Sequence, residues 1–210
     1  IYHDAMNKQY ISIERHNDRI NVWDTQTSNS KISSSFSCKE PIQLISYSPD
    51  GKYLAAANEK EIVLFNVLTK HTKIIDVNEM APLSIYEKNH MLSNTSLLYK
   101  SSRDIKLWDF HGNPIKFEFL GDKKKNNVLA LSNDGNKIAI YNKSNNLIEI
   151  WDVKSNSVIH TIAGDSSDIM WLFDRNAEKL ISLVFGSREI HIHDLVTGEI
   201  ITIKEKDVNS

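Results

Sequence analysis

Two histidines near the carboxyl-terminal end have a spacing that permits metal binding. His191 and His193 lie two residues apart in a run of alternating apolar and polar residues, which is typical of a β-strand with every second side chain on one face. Imidazole is a common zinc ligand, but a zinc site needs three or four protein ligands. No third ligand is identified nearby, because Asp194 alternates onto the opposite face and Asp168 belongs to another strand. We therefore predict no bound metal and expect His193 to fill a packing position.

Motifs for covalent catalysis and for nucleotide binding do not occur in the sequence. There is no Gly-x-Ser-x-Gly elbow and no glycine-rich phosphate loop. Cys38 lies beside Lys39, and a lysine neighbour can activate a thiol. No histidine is adjacent in the sequence, so we expect Cys38 to be a solvated loop cysteine. We predict that the chain is not an enzyme and binds no cofactor.

A run of three lysines, Lys123-Lys124-Lys125, is the sharpest local concentration of charge. Such a loop is able to meet phosphate groups or an acidic partner, but short charge runs usually lie on solvated faces. The whole chain carries 25 basic and 27 acidic residues, a net charge of -2, so it has no global field that would attract nucleic acid. We predict no nucleic-acid binding.

The single cysteine also bears on the compartment. One cysteine in a chain of 210 residues cannot form an intrachain disulfide, and this favours a reducing environment. No stretch approaches the roughly 18 apolar residues that a transmembrane helix needs, and no signal peptide is evident at Ile1. We predict an intracellular, most simply cytoplasmic, protein without a transmembrane segment, and we expect the chain to be part of a longer one.

A fivefold repeat organises the chain. One acidic or amide residue recurs in steps of 42, 43, 43 and 42 residues, and we call these five positions the marker residues: Asp24, Asn66, Asp109, Asp152 and Asp194. Large or aromatic side chains precede them: Trp23, Phe65, Trp108, Trp151 and His193. So regular a period indicates one structural unit that is stacked repeatedly. The units cover approximately residues 1–38, 39–78, 79–121, 122–164 and 165–206, followed by a tail at 207–210.

Each unit contains short β-type runs that are separated by turn residues. In the second unit these runs are 42–47, 52–57, 61–67 and 71–77, and the turn Ser48-Pro49-Asp50-Gly51 suits a tight reversal. The first unit lacks most of one strand. In the third unit we predict strands at 82–86, 91–99, 104–110 and 115–120, with a bulge or loop interrupting the second of them at 93–96. The pattern predicts an all-β fold.

A four-stranded unit of about 43 residues whose third strand ends in Trp-Asp resembles the WD40 repeat, the unit of many β-propellers. The Trp-Asp pair is present three times, and Phe65-Asn66 and His193-Asp194 replace it elsewhere. The resemblance implies a WD40-like β-propeller of about five four-stranded antiparallel blades with a truncated first blade, part of a larger propeller. The family's turn aspartate is replaced here, so we expect its buried hydrogen-bond network to be absent; the replacing residues are Asn17, Glu59, Ser102, Asn145 and Ser187.

The resemblance implies a non-catalytic scaffold that mediates protein–protein interactions in an intracellular, multi-subunit complex. One alternative is a regulatory or sensor propeller segment of a larger enzyme. Another is recognition of a phosphorylated peptide or lipid through the three lysines, although the paired basic motif of phosphoinositide-binding propellers is not present. Because function usually lies on loops of a rigid scaffold, the candidate partner-binding residues are loop residues: Lys123, Lys124, Lys125, His16, Asn58, Ser101, Ser144 and Arg188.

Overall fold

The computed structural model contains only β-strands as regular elements among the residues it describes. No helix in this part of the chain is long and apolar enough to cross a membrane. The described residues are 2–4, 9–14, 19–24, 31–39, 41–42, 44–58, 60–77, 90–100, 105–119, 126–163, 170–184 and 188–204.

The strands, numbered in chain order, are short and evenly spaced. Their bounds are β1 Tyr2–Asp4, β2 Gln9–Glu14, β3 Arg19–Asp24, β4 Lys31–Ser37, β5 Leu44–Tyr47, β6 Tyr53–Ala57, β7 Glu61–Asn66, β8 Thr72–Asp76, β9 His90–Leu92, β10 Ser96–Lys100, β11 Ile105–Asp109, β12 Pro114–Ile115, β13 Asn127–Leu131, β14 Lys137–Asn142, β15 Leu147–Asp152, β16 Ser157–Ala163, β17 Met170–Phe173, β18 Lys179–Val184, β19 Glu189–Asp194 and β20 Ile200–Lys204.

Each group of four consecutive strands forms one sheet in which sequence neighbours pair. We call these β1–β4, β5–β8, β9–β12, β13–β16 and β17–β20 the first to fifth sheets. The marker residues end the third strand of every sheet. The prediction of an all-β fold built from four-stranded sheets is therefore confirmed.

The third sheet departs from the prediction. The run 91–99 is not one interrupted strand but the hairpin of β9 and β10. Ser93 closes the turn, because its hydroxyl oxygen accepts hydrogen bonds from the backbone N–H groups of Thr95 at 3.0 Å and Ser96 at 2.8 Å. The predicted first strand at 82–86 lies outside the described residues, and the predicted strand at 115–120 is wrong because β12 contains only Pro114–Ile115.

Local turn chemistry explains why β5–β6 and β13–β14 form similar hairpins. The Ser48 hydroxyl donates to Asp50 at 2.8 Å and accepts the N–H of Tyr53 at 2.9 Å. The Ser132 hydroxyl makes the equivalent bonds, to Asp134 at 2.6 Å and from Lys137 at 2.9 Å. Gly51 and Gly135 have φ of 70° and 76°, a conformation that glycine adopts without a steric penalty.

The chain divides into two compact units, Ile1–Asp104 with Trp108–Pro114, and Ile105–Leu107 with Ile115–Ser210. The core of the first unit lies between the first and second sheets and between the second and third sheets. The core of the second unit lies between the fourth and fifth sheets. In both units, apolar side chains from facing sheets interlock, and the strands display buried side chains on both faces.

Candidate functional site

Three of the eight residues that the sequence suggested for partner binding lie in the part of the chain that the structure describes. The other five, at positions 16, 101, 123, 124 and 125, lie outside the described residues. Ser144 and Arg188 are exposed on turns that join second and third strands, and Arg188 has φ of 55°. Asn58 is a correction: it is 1% exposed, and its side-chain oxygen accepts the N–H groups of Lys60 and Glu61 at 2.8 and 2.9 Å. Asn58 therefore stabilises a turn and is not available to a partner.

The marker residues close the turn between third and fourth strands. Asp152 accepts the backbone N–H and the hydroxyl of Ser155, both at 2.7 Å. These bonds hold the pKa of Asp152 below its usual value, against the opposing effect of burial. Asp194 accepts two backbone N–H groups at 2.9 Å, which likewise lower its pKa. Asn66 and Asp109 make equivalent bonds with the backbone of their own turns; the side chain of Asp24 is not described.

The large residues before the markers are packing residues, with ring contacts either to a neighbouring sheet or within their own sheet. Phe65, Trp108, Trp151 and His193 are buried, and Trp23 is half-buried. The ring of Phe65 stacks on that of Phe36, with centroids 4.7 Å apart. The His193 imidazole stacks on Trp171 at 5.7 Å, which places it where the other units have an aromatic side chain.

A partly buried hydrogen-bond network is present in the fourth sheet, and it is built from residue types other than those of the WD40 family's network. The carboxylate of Glu149, 7% exposed, accepts the side-chain amides of Asn142 at 2.8 Å and Asn145 at 3.0 Å. Its second oxygen accepts the indole N–H of Trp151 at 3.1 Å. The absence of the family's own network stays a prediction, and the central acceptor found here lies within the strand, two residues before the tryptophan.

The two histidines of the fifth sheet have an additional acidic neighbour that the sequence reasoning missed. The Glu189 carboxylate lies 3.2 Å from Nε2 of His191 and 2.6 Å from the Lys204 ammonium. The hydrogen bonds from Lys204 and then from His191 hold the pKa of Glu189 below its usual value. Within the described part of the chain, no group of three histidine, cysteine or acidic side chains has the geometry of a metal site. Glu189 and Lys204 instead form an ion pair across β19 and β20.

The expectation of a solvated Cys38 is wrong. Cys38 is buried, at 8% exposure, within the core between the first and second sheets. The apolar side chains Ile20, Val22 and Phe36 belong to the same cluster. The thiol therefore acts as a small apolar core group.

A groove in the first unit brings aromatic and basic side chains together. It has a volume of about 460 Å³ and lies between the second sheet and the turn after β11; it is lined by Tyr53, Leu64, Asn66, Thr69, His71, Thr72, Lys73, Phe110 and His111. The rings of Tyr53 and Phe110 stack with their centroids 3.9 Å apart and their planes at 25°. Leu64, which is buried, completes an apolar floor.

The rim of this groove carries one lysine and two histidines. The side chains of these three residues, His71, Lys73 and His111, are exposed, and none of the nine lining residues is acidic. The turn at Gly112 lies close to the side chain of Lys73: a Cβ added at Gly112 would be 2.5 Å from Cε of Lys73. The nearby Asp109 accepts the N–H groups of His111 at 2.9 Å and Asn113 at 2.8 Å, so its carboxylate is committed to the turn.

This groove, called here the aromatic–basic groove, was not among the sequence predictions. The candidate residues predicted from the sequence belong to other loops, those between second and third strands and the loop of three lysines. The groove instead uses residues that follow two marker residues, in the turns between third and fourth strands. The one available sequence signal was the pair of basic residues His71 and Lys73, two positions apart at the start of the predicted run 71–77.

Comparison with known proteins supports the architecture. No family model and no curated protein matches the chain. A crystal structure of Hsv2 from Kluyvelomyces marxianus, a β-propeller protein, is similar over 89% of this chain with a TM-score of 0.64 and 10% sequence identity. The chain spans 60% of the length of that structure.

The likeness identifies the fold as that of β-propeller blades. There are 1135 matching chains of known structure, and the identity with Hsv2 is only 10%. The similarity therefore shows the fold and does not indicate a particular role.

Proposed function

We propose that this chain is a divergent WD40-like propeller segment that acts as a non-catalytic interaction module inside the cell, within a multi-subunit assembly. The observation that carries the proposal is the aromatic–basic groove. Propeller blades supply a rigid scaffold, and binding sites on such scaffolds are formed by loops and turns at the strand ends. The groove lies at such a position, between strand ends of the second sheet and the turn after β11.

The side chains of the groove favour an extended protein segment that carries a carboxylate next to an apolar side chain. The stacked rings of Tyr53 and Phe110 offer a flat apolar surface, and aromatic residues are enriched at protein interfaces. The ammonium of Lys73 lies at the rim, and the imidazoles of His71 and His111 beside it offer further hydrogen-bonding groups. Such a rim attracts an acidic group and raises the rate of association.

Selection of random peptides displayed on phage tests this function. We expect the chain to enrich peptides in which aspartate or glutamate lies near an aromatic or aliphatic residue. Lys73→Glu should weaken the binding of these peptides by about tenfold, since a rim charge is reversed. Lys154→Glu is the matched control, because Lys154 is also exposed but lies outside the groove. This variant should bind the selected peptides with an affinity within about twofold of that of the unmodified chain.

Two results would contradict the proposal. One is the absence of any enriched peptide family. The other is a set of selected peptides that bind the Lys73→Glu and Lys154→Glu variants equally well, which would place their contacts elsewhere on the surface.

A further inference from the structure

The side chain of Lys73 lies across the turn that follows β11. A Cβ added at Gly112 would lie 2.5 Å from Cε of Lys73, 3.1 Å from its Cγ and 3.3 Å from its Cδ. Three carbons of the lysine stem therefore occupy the space that a side chain at Gly112 would need. Lys73 pairs with Leu64 in the register of β7 and β8, and both residues line the aromatic–basic groove. The stem of Lys73 thus runs from β8 to the turn after β11.

The backbone conformation of Gly112 does not by itself explain why this residue is glycine. Gly112 has φ of 81°, but the corresponding turns of the second and fourth sheets hold Lys70 at φ of 62° and Asn156 at φ of 52°. Residues with a side chain therefore adopt the left-handed conformation in turns of this kind. In the fifth sheet, Gly198 has φ of 78°, and a Cβ added there would meet nothing within 4 Å. The lysine stem is what distinguishes Gly112 from Gly198.

The turn that carries Gly112 is held by its own hydrogen bonds. The carbonyl oxygen of Asp109 accepts the N–H of Gly112 at 3.0 Å, and the N–H of Asp109 donates to the carbonyl oxygen of Asn113 at 2.9 Å. The carboxylate of Asp109 also accepts the side-chain amide of Asn113 at 2.8 Å. Because these bonds fix the backbone, the turn offers the stem of Lys73 a rigid surface, on which a long charged side chain packs its methylene groups.

The ammonium of Lys73 makes no ion pair with an acidic side chain in the part of the chain that the structure describes. The carboxylate of Asp109 is bonded within its own turn. Asp76 belongs to the same strand as Lys73, but alternation places it on the opposite face of the sheet. The charge of Lys73 is therefore left for a ligand of the groove.

We propose that Gly112 is a positioning residue of the aromatic–basic groove. The absence of a Cβ at Gly112 allows the stem of Lys73 to lie against the turn, and this contact holds the ammonium at the rim. A side chain that is already ordered loses less conformational entropy when a ligand binds. Gly112 thereby sets the preference of the groove for a segment with an acidic residue over the same segment with the corresponding amide.

The inference rests on the proposed function for the identity of the ligand, but the order of the Lys73 side chain is measurable without one. NMR relaxation of the lysine Cε methylene groups in the isotope-labelled chain reports this order. Lys73→Met identifies the Lys73 signal by its absence, and the exposed Lys154 is the reference. We expect Lys73 to be more ordered than Lys154 in the unmodified chain. Equal mobility of the two lysines would overturn the proposal, whether or not any variant folds.

Gly112→Ala should make Lys73 as mobile as Lys154, because the added Cβ displaces the stem. Gly198→Ala is the matched control: it imposes alanine on a similar positive φ but contacts no lysine, so it should leave Lys73 ordered. Both variants should remain folded by circular dichroism, since the atoms that Gly112→Ala displaces belong to a flexible side chain. If Lys73 remains ordered in a folded Gly112→Ala chain, the proposal is overturned.

Peptide binding tests the consequence for selectivity. The probes are a peptide selected on the unmodified chain and its analogue in which the acidic residue is replaced by the amide, measured by fluorescence anisotropy. Gly112→Ala should weaken binding of the acidic peptide by about fivefold and leave the amide analogue nearly unchanged, because only the charge contact is lost. Gly198→Ala should stay within about twofold for both peptides, since it lies in a distant turn.

A double-mutant cycle shows whether Gly112 acts through Lys73. In a Lys73→Met background, Gly112→Ala should change the affinity for the acidic peptide by less than about twofold, because the group that it positions is already absent. An equal loss for the acidic and amide peptides would overturn the proposal. So would a loss that persists in the Lys73→Met background, since Gly112→Ala would then act on the shape of the groove.

The two kinds of measurement separate this inference from the proposed function. If no peptide family is selected, the proposed function fails, and the order of Lys73 still decides whether Gly112 positions it. If acidic peptides bind through Lys73 while Lys73 is as mobile as Lys154, this inference fails and the proposed function stands.

Discussion

The fourth and fifth sheets have the same apolar pattern on one face but differ in what lies against it. Ile148 and Ile150 of β15 occupy the same positions relative to the marker as Ile190 and Ile192 of β19. The first pair is fully buried against the fifth sheet, whereas Ile190 is exposed and Ile192 is half-buried. The comparison teaches that an identical repeat position has a different energetic value depending on whether a neighbouring sheet is present.

The opposite faces of the two sheets differ in chemistry as well. In β15, the residue two positions before Trp151 is Glu149, which accepts three side-chain N–H groups. In β19, the equivalent residue is His191, which pairs with Glu189 near solvent. The fourth sheet thus contains a polar network around the buried carboxylate of Glu149, and the fifth sheet has the ion pair of Glu189 and Lys204 at its surface.

The largest expected difference concerns the isoleucines. Ile148→Ala should lower the free energy of unfolding by about 3 kcal/mol, because it leaves a cavity in a close-packed core. Ile190→Ala should lower it by less than about 1 kcal/mol, since its side chain is only partly removed from water. Urea unfolding of both variants, followed by circular dichroism, measures the two values. Equal losses would show that the face of the fifth sheet is covered in solution and would break the comparison.

A smaller difference is expected for the polar positions. Glu149→Ala should cost about 2 kcal/mol, because the buried indole N–H of Trp151 loses its acceptor. His191→Ala should change stability much less, since its hydrogen bond with Glu189 lies near solvent. Glu149→Gln serves as the control, because its side-chain oxygen still accepts hydrogen bonds, and it should retain part of the lost stability in the same urea titrations. If Glu149→Ala is as stable as the unmodified chain, the network has no energetic role.

The smallest effect on stability is expected for the marker residues Asp152 and Asp194, and it should be the same in the fourth and fifth sheets. The pKa values of Asp152 and Asp194 are lowered in the folded chain, so below the pKa of the unfolded state the unfolded chain binds more protons. The stability that these two carboxylates contribute is therefore complete above the pKa of the unfolded chain. It decreases as the pH falls from there through the lower pKa of the folded chain. Asp152→Asn and Asp194→Asn should each flatten the decline of the urea midpoint between about pH 5 and about pH 3. If only one of the two variants flattened the decline, the contribution of the aspartate would depend on more than its own turn.

Local chemistry explains which parts of the fold were predictable. The hairpins at Ser48 and Ser132 depend on residues within one turn, so the sequence of that turn was sufficient to predict them. The hairpin at Ser93 uses the same serine hydroxyl but has no glycine or proline, and the sequence pattern therefore suggested an interrupted strand. The end of β12 was also misplaced, because an apolar run alone does not show where pairing stops.

The candidate site was less predictable than the fold. The aromatic–basic groove joins Tyr53 to Phe110, which are more than fifty residues apart in the sequence. No spacing rule within one repeat connects them. For Asn58 the prediction was wrong in another way. A polar residue at a loop position was expected to be exposed, but its side chain is buried and accepts hydrogen bonds from the turn that follows it.

The sequence by itself determined the repeat period, the strand alternation and the turns capped by Asp109, Asp152 and Asp194, because each depends on residues close along the chain. The tertiary structure alone decided that Ile148 is buried and Ile190 exposed, that Cys38 belongs to a core, and that His71, Lys73 and His111 share one groove. Burial and surface chemistry depend on which sheets lie against each other, and that packing brings together residues from separate repeats.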